Sequence, residues 1–79
     1  NYLIYPNPFK EQANILFADA GIYNVLVFDM QGKQISASNY NAAAGEVCQL
    51  SFDAPQGMYY VVVMQNDKCV QSFKVIKER

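Results

Sequence analysis

The feature that most constrains the fold of this chain is the alternation of apolar and polar residues over short segments. In IYNVLVFD (residues 22–29) and MYYVVVMQ (residues 58–65), the side chains on one face are β-branched or aromatic, as in half-buried strands. Breaks rich in Gly, Pro, Asn or Asp recur roughly every 8–12 residues, a spacing typical of antiparallel sandwiches, and no segment shows a helical repeat. We therefore predict an all-β fold of seven antiparallel strands in two packed sheets, at residues 3–5, 13–18, 22–29, 33–37, 47–52, 58–65 and 69–77.

The same alternation assigns the faces of the strands, because successive side chains of a strand point to opposite sides of its sheet. The predicted core consists of Tyr23, Val25, Val27, Cys48, Leu50, Phe52, Tyr59, Val61, Val63, Phe73 and Val75. The predicted wetter faces carry Asn24, Gln49, Ser51, Ser72 and Lys74.

Three connections have distinct turn chemistry. Pro6-Asn7-Pro8 cannot lie inside a hydrogen-bonded ladder, because each proline fixes φ and lacks an amide donor, so these residues form a stiff corner after the first strand. The sequence DMQGKQI is a hairpin connection in which Gly32 supplies the positive φ that such turns need. Residues 39–46 (NYNAAAGE) form a longer loop that we expect to cross between the sheets.

A tyrosine near the start of a strand refines the fold class. In FDAPQGMYYVVV, Pro55 and Tyr59 are four residues apart, with Gly57 between them. This pattern resembles the tyrosine corner of immunoglobulin-like sandwiches, in which the phenol binds backbone a few residues upstream. We predict a seven-stranded antiparallel immunoglobulin-like β-sandwich.

Composition limits the domain count and the class of protein. A chain of 79 residues, 52% hydrophobic and 16% charged, is expected to fold as one domain spanning residues 1–79. No stretch approaches the ~18 apolar residues of a membrane span, and the residues that follow Asn1 include no basic n-region or cleavage site of a signal peptide. We expect the chain to be a fragment of a longer protein.

The charge is unevenly distributed along the chain. The net charge of −1 argues against nucleic-acid binding. Residues 1–67 carry two lysines and six carboxylates, whereas residues 68–79 carry three lysines, one arginine and one glutamate. From charge alone, the favoured explanation of the basic end is an edge strand that lysines protect from aggregation.

Residues that could perform chemistry are scarce. The chain has no histidine, and Cys48 and Cys69 lack the spacing of a zinc site or the partner of a thiol nucleophile. Asp29, Asp53 and Asp67 stand singly at turns, where aspartate commonly forms the turn itself. We predict no catalytic residue, cofactor or metal, and therefore no enzyme.

Four motifs, in order, carry a resemblance to a known family: YPNPF, VFDMQGKQI, APQGMYYVVV and KVIKER. Together they resemble the type A C-terminal sorting domain of the type IX secretion system, over nearly the whole chain. Matched residue by residue, the sorting-motif candidates are Pro6, Asn7, Pro8, Asp29, Gly32, Lys33, Gly57, Tyr59, Lys74, Lys77 and Arg79. The sequence NYNAAAGEVCQLSF departs from the family, and cysteines do not belong to its pattern.

The resemblance implies a secretion signal. Such domains guide a cargo, here N-terminal to Asn1, from the periplasm through the outer-membrane translocon, and a sortase-like protease then removes them at the cell surface. The Pro6–Pro8 corner is then either purely structural or a means of holding the cargo linker extended for the protease. We expect residues 77–79 to lie past the core, to contribute little to stability and to be read by the translocation machinery.

Two alternatives remain open. A cell-surface immunoglobulin-like binding module would use Tyr2, Phe28, Tyr40 and Tyr60 as outward aromatics, and a purely structural accessory sandwich would use none.

The cysteines also leave two possibilities, because both fall on inward faces by parity and an exported protein permits a disulfide. We favour separate buried thiols, since the fifth and seventh strands need not be close.

Overall fold

Two antiparallel sheets pack face to face in the computed structural model, which describes residues 1–79. The three-stranded sheet has the order β1-β2-β5 and the four-stranded sheet the order β4-β3-β6-β7. Seven strands and no helix confirm the predicted all-β, immunoglobulin-like sandwich, and no helix is present that could span a membrane. The strands are β1 (Leu3–Tyr5), β2 (Ala13–Leu16), β3 (Gly21–Phe28), β4 (Gln34–Ala42), β5 (Val47–Leu50), β6 (Gly57–Gln65) and β7 (Lys68–Lys77).

The core lies between the sheets and is entirely apolar. All predicted core residues are buried except Cys48 and Phe73, which are half-buried and pack against the core. The predicted wetter positions are all exposed. The core also contains residues that the alternation did not assign, namely Phe9, Ala13, Ile15, Phe17 and Ala42.

The prediction that residues 39–46 form a crossing loop is wrong in its first half. β4 continues to Ala42, which pairs with Gly21, and only residues 43–46 connect it to β5. Tyr40 is half-buried with its ring centroid 5.5 Å from that of Phe17, and Ala42 is buried. The asparagines on either side of Tyr40 face outward, so the segment keeps a period of two even though asparagine is uncommon in strands.

A β-bulge changes the face on which Cys69 lies. The register between β6 and β7 shifts at Val63/Met64, so Cys69 pairs with Met64 on the outer face instead of pointing inward. One extra residue in a strand reverses the parity of everything beyond it. Cys69 is therefore exposed, the prediction that it is buried is wrong, and both thiols are free, which confirms that they are separate.

Because all strand pairs are antiparallel, the turns gather at two ends of a body measuring 32 × 23 × 17 Å. We call the end that holds residues 6–12, 29–33, 53–57 and 77–79 the clamp end. The end that holds residues 1–2, 17–20, 43–46 and 66–67 is the opposite end. Every lysine and arginine except Lys68 lies at or next to the clamp end.

Candidate functional site

The side chain of Asn7 acts as a short piece of extra strand on the outer edge of β7. Its Nδ2 donates to the carbonyl oxygen of Lys74 at 3.0 Å, and its Oδ1 accepts from the backbone N–H of Ile76 at 3.0 Å. A side-chain amide presents one donor and one acceptor, as a peptide group does, so it can pair with both backbone groups of an edge. The two prolines beside Asn7 have no amide hydrogen of their own to pair.

Phe9 extends this contact with its backbone. Its N–H donates to Ile76 O at 2.9 Å, and its carbonyl accepts from the N–H of Glu78 at 2.7 Å, which makes a parallel bridge opposite Lys77. Its ring is only 1% exposed and meets Phe52 edge to face, with centroids 5.7 Å apart. We call Asn7 and Phe9, together with residues 74–78, the terminal clamp, because they join the two ends of the chain.

The terminal clamp corrects two expectations. Lys77 is part of β7 and Glu78 is bound through its N–H, so these residues do not lie loosely past the core. The Pro6–Pro8 corner, whose two X-Pro bonds are both cis, lies at the clamp end, whereas Asn1 enters β1 at the opposite end. Because β1 separates the corner from Asn1, the corner does not hold a preceding linker in place.

Tyr59 contributes a hydrogen bond and an aromatic ring next to the terminal clamp. Its hydroxyl donates to the carbonyl oxygen of Pro55 at 2.5 Å, which confirms the predicted tyrosine corner. The centroid of its ring lies 5.1 Å from that of Phe52, edge to face, so Phe9, Phe52 and Tyr59 form a continuous aromatic cluster. Gly57 opens β6 and pairs with Lys77, which places the third motif directly beside the last one.

Asp29 builds the hairpin turn predicted between β3 and β4. Its Oδ1 accepts from the N–H groups of Gln31 and Lys33, both at 2.9 Å, and Gly32 takes a φ of 86°. That φ lies in the left-handed region that glycine adopts without steric cost. The turn shares an open groove of about 330 Å³ with residues 55–59, so the second motif also reaches the clamp end.

The basic residues of the clamp end surround a second groove, of about 580 Å³. Lys10, Lys77 and Arg79 line it with the single acid Glu78, next to Gln56 and Gly57. Lys10 was not among the sequence candidates, although its place two residues after Pro8 could have indicated it. The structure thus brings nine of the eleven candidate residues to the clamp end, and the other two, Tyr59 and Lys74, lie in the adjoining parts of β6 and β7.

A second tyrosine corner at the opposite end was missed by the sequence reasoning. Tyr23 donates to the carbonyl oxygen of Asp19 at 2.5 Å, and its hydroxyl is 3.0 Å from that of Tyr2. The hydrogen bond between the hydroxyls of Tyr2 and Tyr23, together with burial, raises the pKa of Tyr2 to about 12. The signal was present, because Gly-x-Tyr opens both β3 and β6.

The surface does not present the aromatic platform that a binding module would use. Tyr2 and Tyr40 pack against the core, Phe28 is half-buried, and Tyr60 alone of the four is exposed. No cluster of three or more His, Cys, Asp or Glu side chains could hold a metal ion. Burial raises the pKa of the Cys48 thiol, to which nearby Glu46 adds, so this thiol is poorly suited to nucleophilic chemistry.

The comparisons with known proteins agree with the motifs. A family model described as a secretion system C-terminal sorting domain matches residues 3–78. No curated protein matches the chain. The matched family consists of signals for type IX secretion and is not a family of known catalysts, and its model spans three of the motifs completely and the fourth up to Glu78. The chain therefore belongs to the secretion system C-terminal sorting domain family.

Proposed function

We propose that the clamp end is the part of this type IX sorting signal that the outer-membrane translocon binds. The observation that carries the proposal is the terminal clamp itself: motifs from the two ends of the chain meet there through four hydrogen bonds. A recognition surface assembled from residues some 70 positions apart exists only in the folded domain. The translocon would thereby distinguish a folded signal from an unfolded chain.

The differences between the two ends of the sandwich support this assignment. Cargo preceding Asn1 joins the domain at the opposite end, where Tyr2 packs on Tyr23. The long dimension of the body is 32 Å, so a cargo attached there leaves the clamp end free. The turns of the clamp end carry four cations and four carboxylates and are neutral overall, whereas the opposite end carries Asp19, Glu46 and Asp67 against Lys68. Such a difference in charge orients a domain during encounter with a charged partner.

Removal of the signal fits the same geometry. A sortase-like protease would cut in the segment that leads into β1, which emerges at the end away from the translocon contact. The cargo would pass from the periplasm to the cell surface or the medium, and the sandwich would be released from it. We infer that the domain contributes no catalytic group to this step.

The experiment is a localisation assay in a bacterium that has a type IX system, with a reporter protein fused ahead of Asn1. Lys77→Gln combined with Arg79→Gln removes two clamp-end charges and leaves the backbone intact. Lys68→Gln, in the same strand but at the opposite end, is the matched control. We expect the double variant to accumulate in the periplasm and the control to reach the surface. Surface delivery of both would contradict the proposal.

A further inference from the structure

The four sheet edges of the molecule are protected very unequally. β1 and β5 are edges of only three and four residues, and short edges resist pairing with other chains. β7 is covered by Asn7 and Phe9 and carries three lysines. β4 is nine residues long, and no charge, proline or glycine occurs in Gln34–Ala42.

The backbone groups of β4 that face outward can be identified from the terminal clamp. Along an antiparallel strand, hydrogen bonds point alternately to one neighbour and then to the other. On β7, Lys74 and Ile76 bond outward to Asn7, so their odd-numbered neighbours bond to β6. The registers of β7 with β6, β6 with β3 and β3 with β4 carry this alternation across the sheet. The backbone groups of Ala37, Asn39 and Asn41 therefore point away from the sheet.

These outward groups form no hydrogen bond within the chain. None of the backbone bonds outside the strand ladders involves residues 34–42, and the side-chain bonds reach this strand only through the hydroxyl of Tyr40. Ala37, Asn39 and Asn41 are exposed. The edge therefore presents a row of donors and acceptors like the one that Asn7 and Phe9 satisfy on β7.

The side chains around this edge indicate what would fit against it. Ser36, Ala37 and Ser38 are small, so large side chains of an added strand have room above them. On the outer face, Ala37 pairs with Leu26 and Leu26 with Val62, which makes an apolar row that ends at Ala37. An open groove of about 540 Å³ runs beside it, and half of its lining residues are apolar: Ile22, Tyr23, Leu26 and Met64, next to Asn24, Asn39, Asn66 and Asp67.

We propose that β4 accepts an extended, uncharged, apolar-rich segment of a partner protein as a fifth strand of the larger sheet. The N–H and C=O groups of Ala37 and Asn39 pair with the added strand, and its large side chains continue the Leu26–Val62 row. The inference rests on the proposed function, because the partner we assign is a component of the secretion machinery. It adds a second contact, on the flank of the sandwich, to the one at the clamp end.

The test uses the same reporter fusion with Asn39→Pro. Proline removes an N–H that has no partner in the chain and is tolerated on edge strands, so melting should be unchanged, but a strand can no longer add there. Asn39→Ala is the matched control, because it removes the side chain and keeps the N–H. Ala37→Lys blocks strand addition by a charge and leaves the backbone unaltered, which covers the case in which proline disturbs folding.

We expect both blocking variants to lose most of the surface reporter while melting like the control. Full surface delivery of Asn39→Pro and Ala37→Lys would overturn the inference and leave the proposed function intact. Failure of the unsubstituted fusion to reach the surface would contradict the proposed function, and this inference with it. A stable dimer of the purified chain that Asn39→Pro abolishes would show that the occupant is a second copy, which would also overturn the proposal.

Discussion

The backbone N–H of Ile76 donates to Oδ1 of Asn7 at 3.0 Å, across 69 positions of the sequence. Through this bond and the bond from Asn7 Nδ2 to Lys74 O, the side chain of Asn7 covers part of the edge of β7. The first and last motifs of the family are therefore one structural unit.

Asn7→Ala should lower the free energy of unfolding by about 1–2 kcal/mol, because two hydrogen bonds to β7 are lost at a partly solvated site. For a domain of this size, that corresponds to a fall in melting temperature of roughly 4–8 °C per kcal/mol. Thermal unfolding followed by circular dichroism measures it. Asn24→Ala, at an exposed asparagine of β3, is the control. Equal melting of the two variants would show that the Asn7 contact is not stabilising.

The two tyrosine corners should differ in strength. Tyr59→Phe removes one bond, to Pro55, whereas Tyr23→Phe removes the bond to Asp19 and the contact with Tyr2. We expect losses of about 1 kcal/mol and about 2 kcal/mol respectively. Because the corners lie at opposite ends, the double variant should show the sum to within roughly 0.5 kcal/mol. Denaturant titrations of the four proteins supply the values, and a strongly non-additive result would imply coupling through the core.

The two cysteines should react at very different rates. Cys69 is exposed, while Cys48 packs against the core and has a pKa raised by burial. Alkylation of the native domain without reductant should label Cys69 rapidly and Cys48 slowly, and unfolding should equalise the rates. Intact mass at successive times follows the labels. A protein that accepts no label even when unfolded would prove that a disulfide forms after all.

Alkaline pH should weaken the contact between Tyr2 and Tyr23. The pKa of Tyr2 is about 12 in the folded chain, against 10.0 for an ordinary tyrosine, so its neutral form is favoured by folding. The contribution of the Tyr2 hydroxyl to the free energy of unfolding is fully present below pH 10 and is lost as the pH rises towards 12. The stability advantage of the unsubstituted chain over Tyr2→Phe should therefore shrink across that range. A difference in melting temperature that stays constant from pH 9 to pH 12 would rule this out.

The strands and most of the core follow from the sequence, because period-two alternation specifies both an extended backbone and its buried face. The prediction failed where a bulge interrupts the alternation, and where polar residues of low strand propensity occupy part of a strand. The bulge at Val63/Met64 moved Cys69 outward, and the asparagines around Tyr40 disguised the second half of β4. A bulge has no compositional signal in a run such as MQNDKCVQ, so the sequence alone does not locate it.

The candidate site was harder to predict than the fold. Pro6–Pro8 was correctly interpreted as a corner, but its docking on β7 depends on a contact between the two ends of the chain that no local pattern encodes. Phe9 was left out of the core because it lies in no alternating segment, although it is 1% exposed. The resemblance to the family named the motifs without indicating that they touch.

The most direct test of the central claim places a photo-crosslinking amino acid at each end of the sandwich during export. Gln56 lies in the groove of the clamp end, and Ala44 lies in an exposed turn at the opposite end. In cells that export the reporter fusion, we predict that position 56 crosslinks to an outer-membrane protein and that position 44 does not. Crosslinks to the outer membrane from position 44 with none from position 56 would contradict the assignment of the clamp end as the surface that the translocon binds.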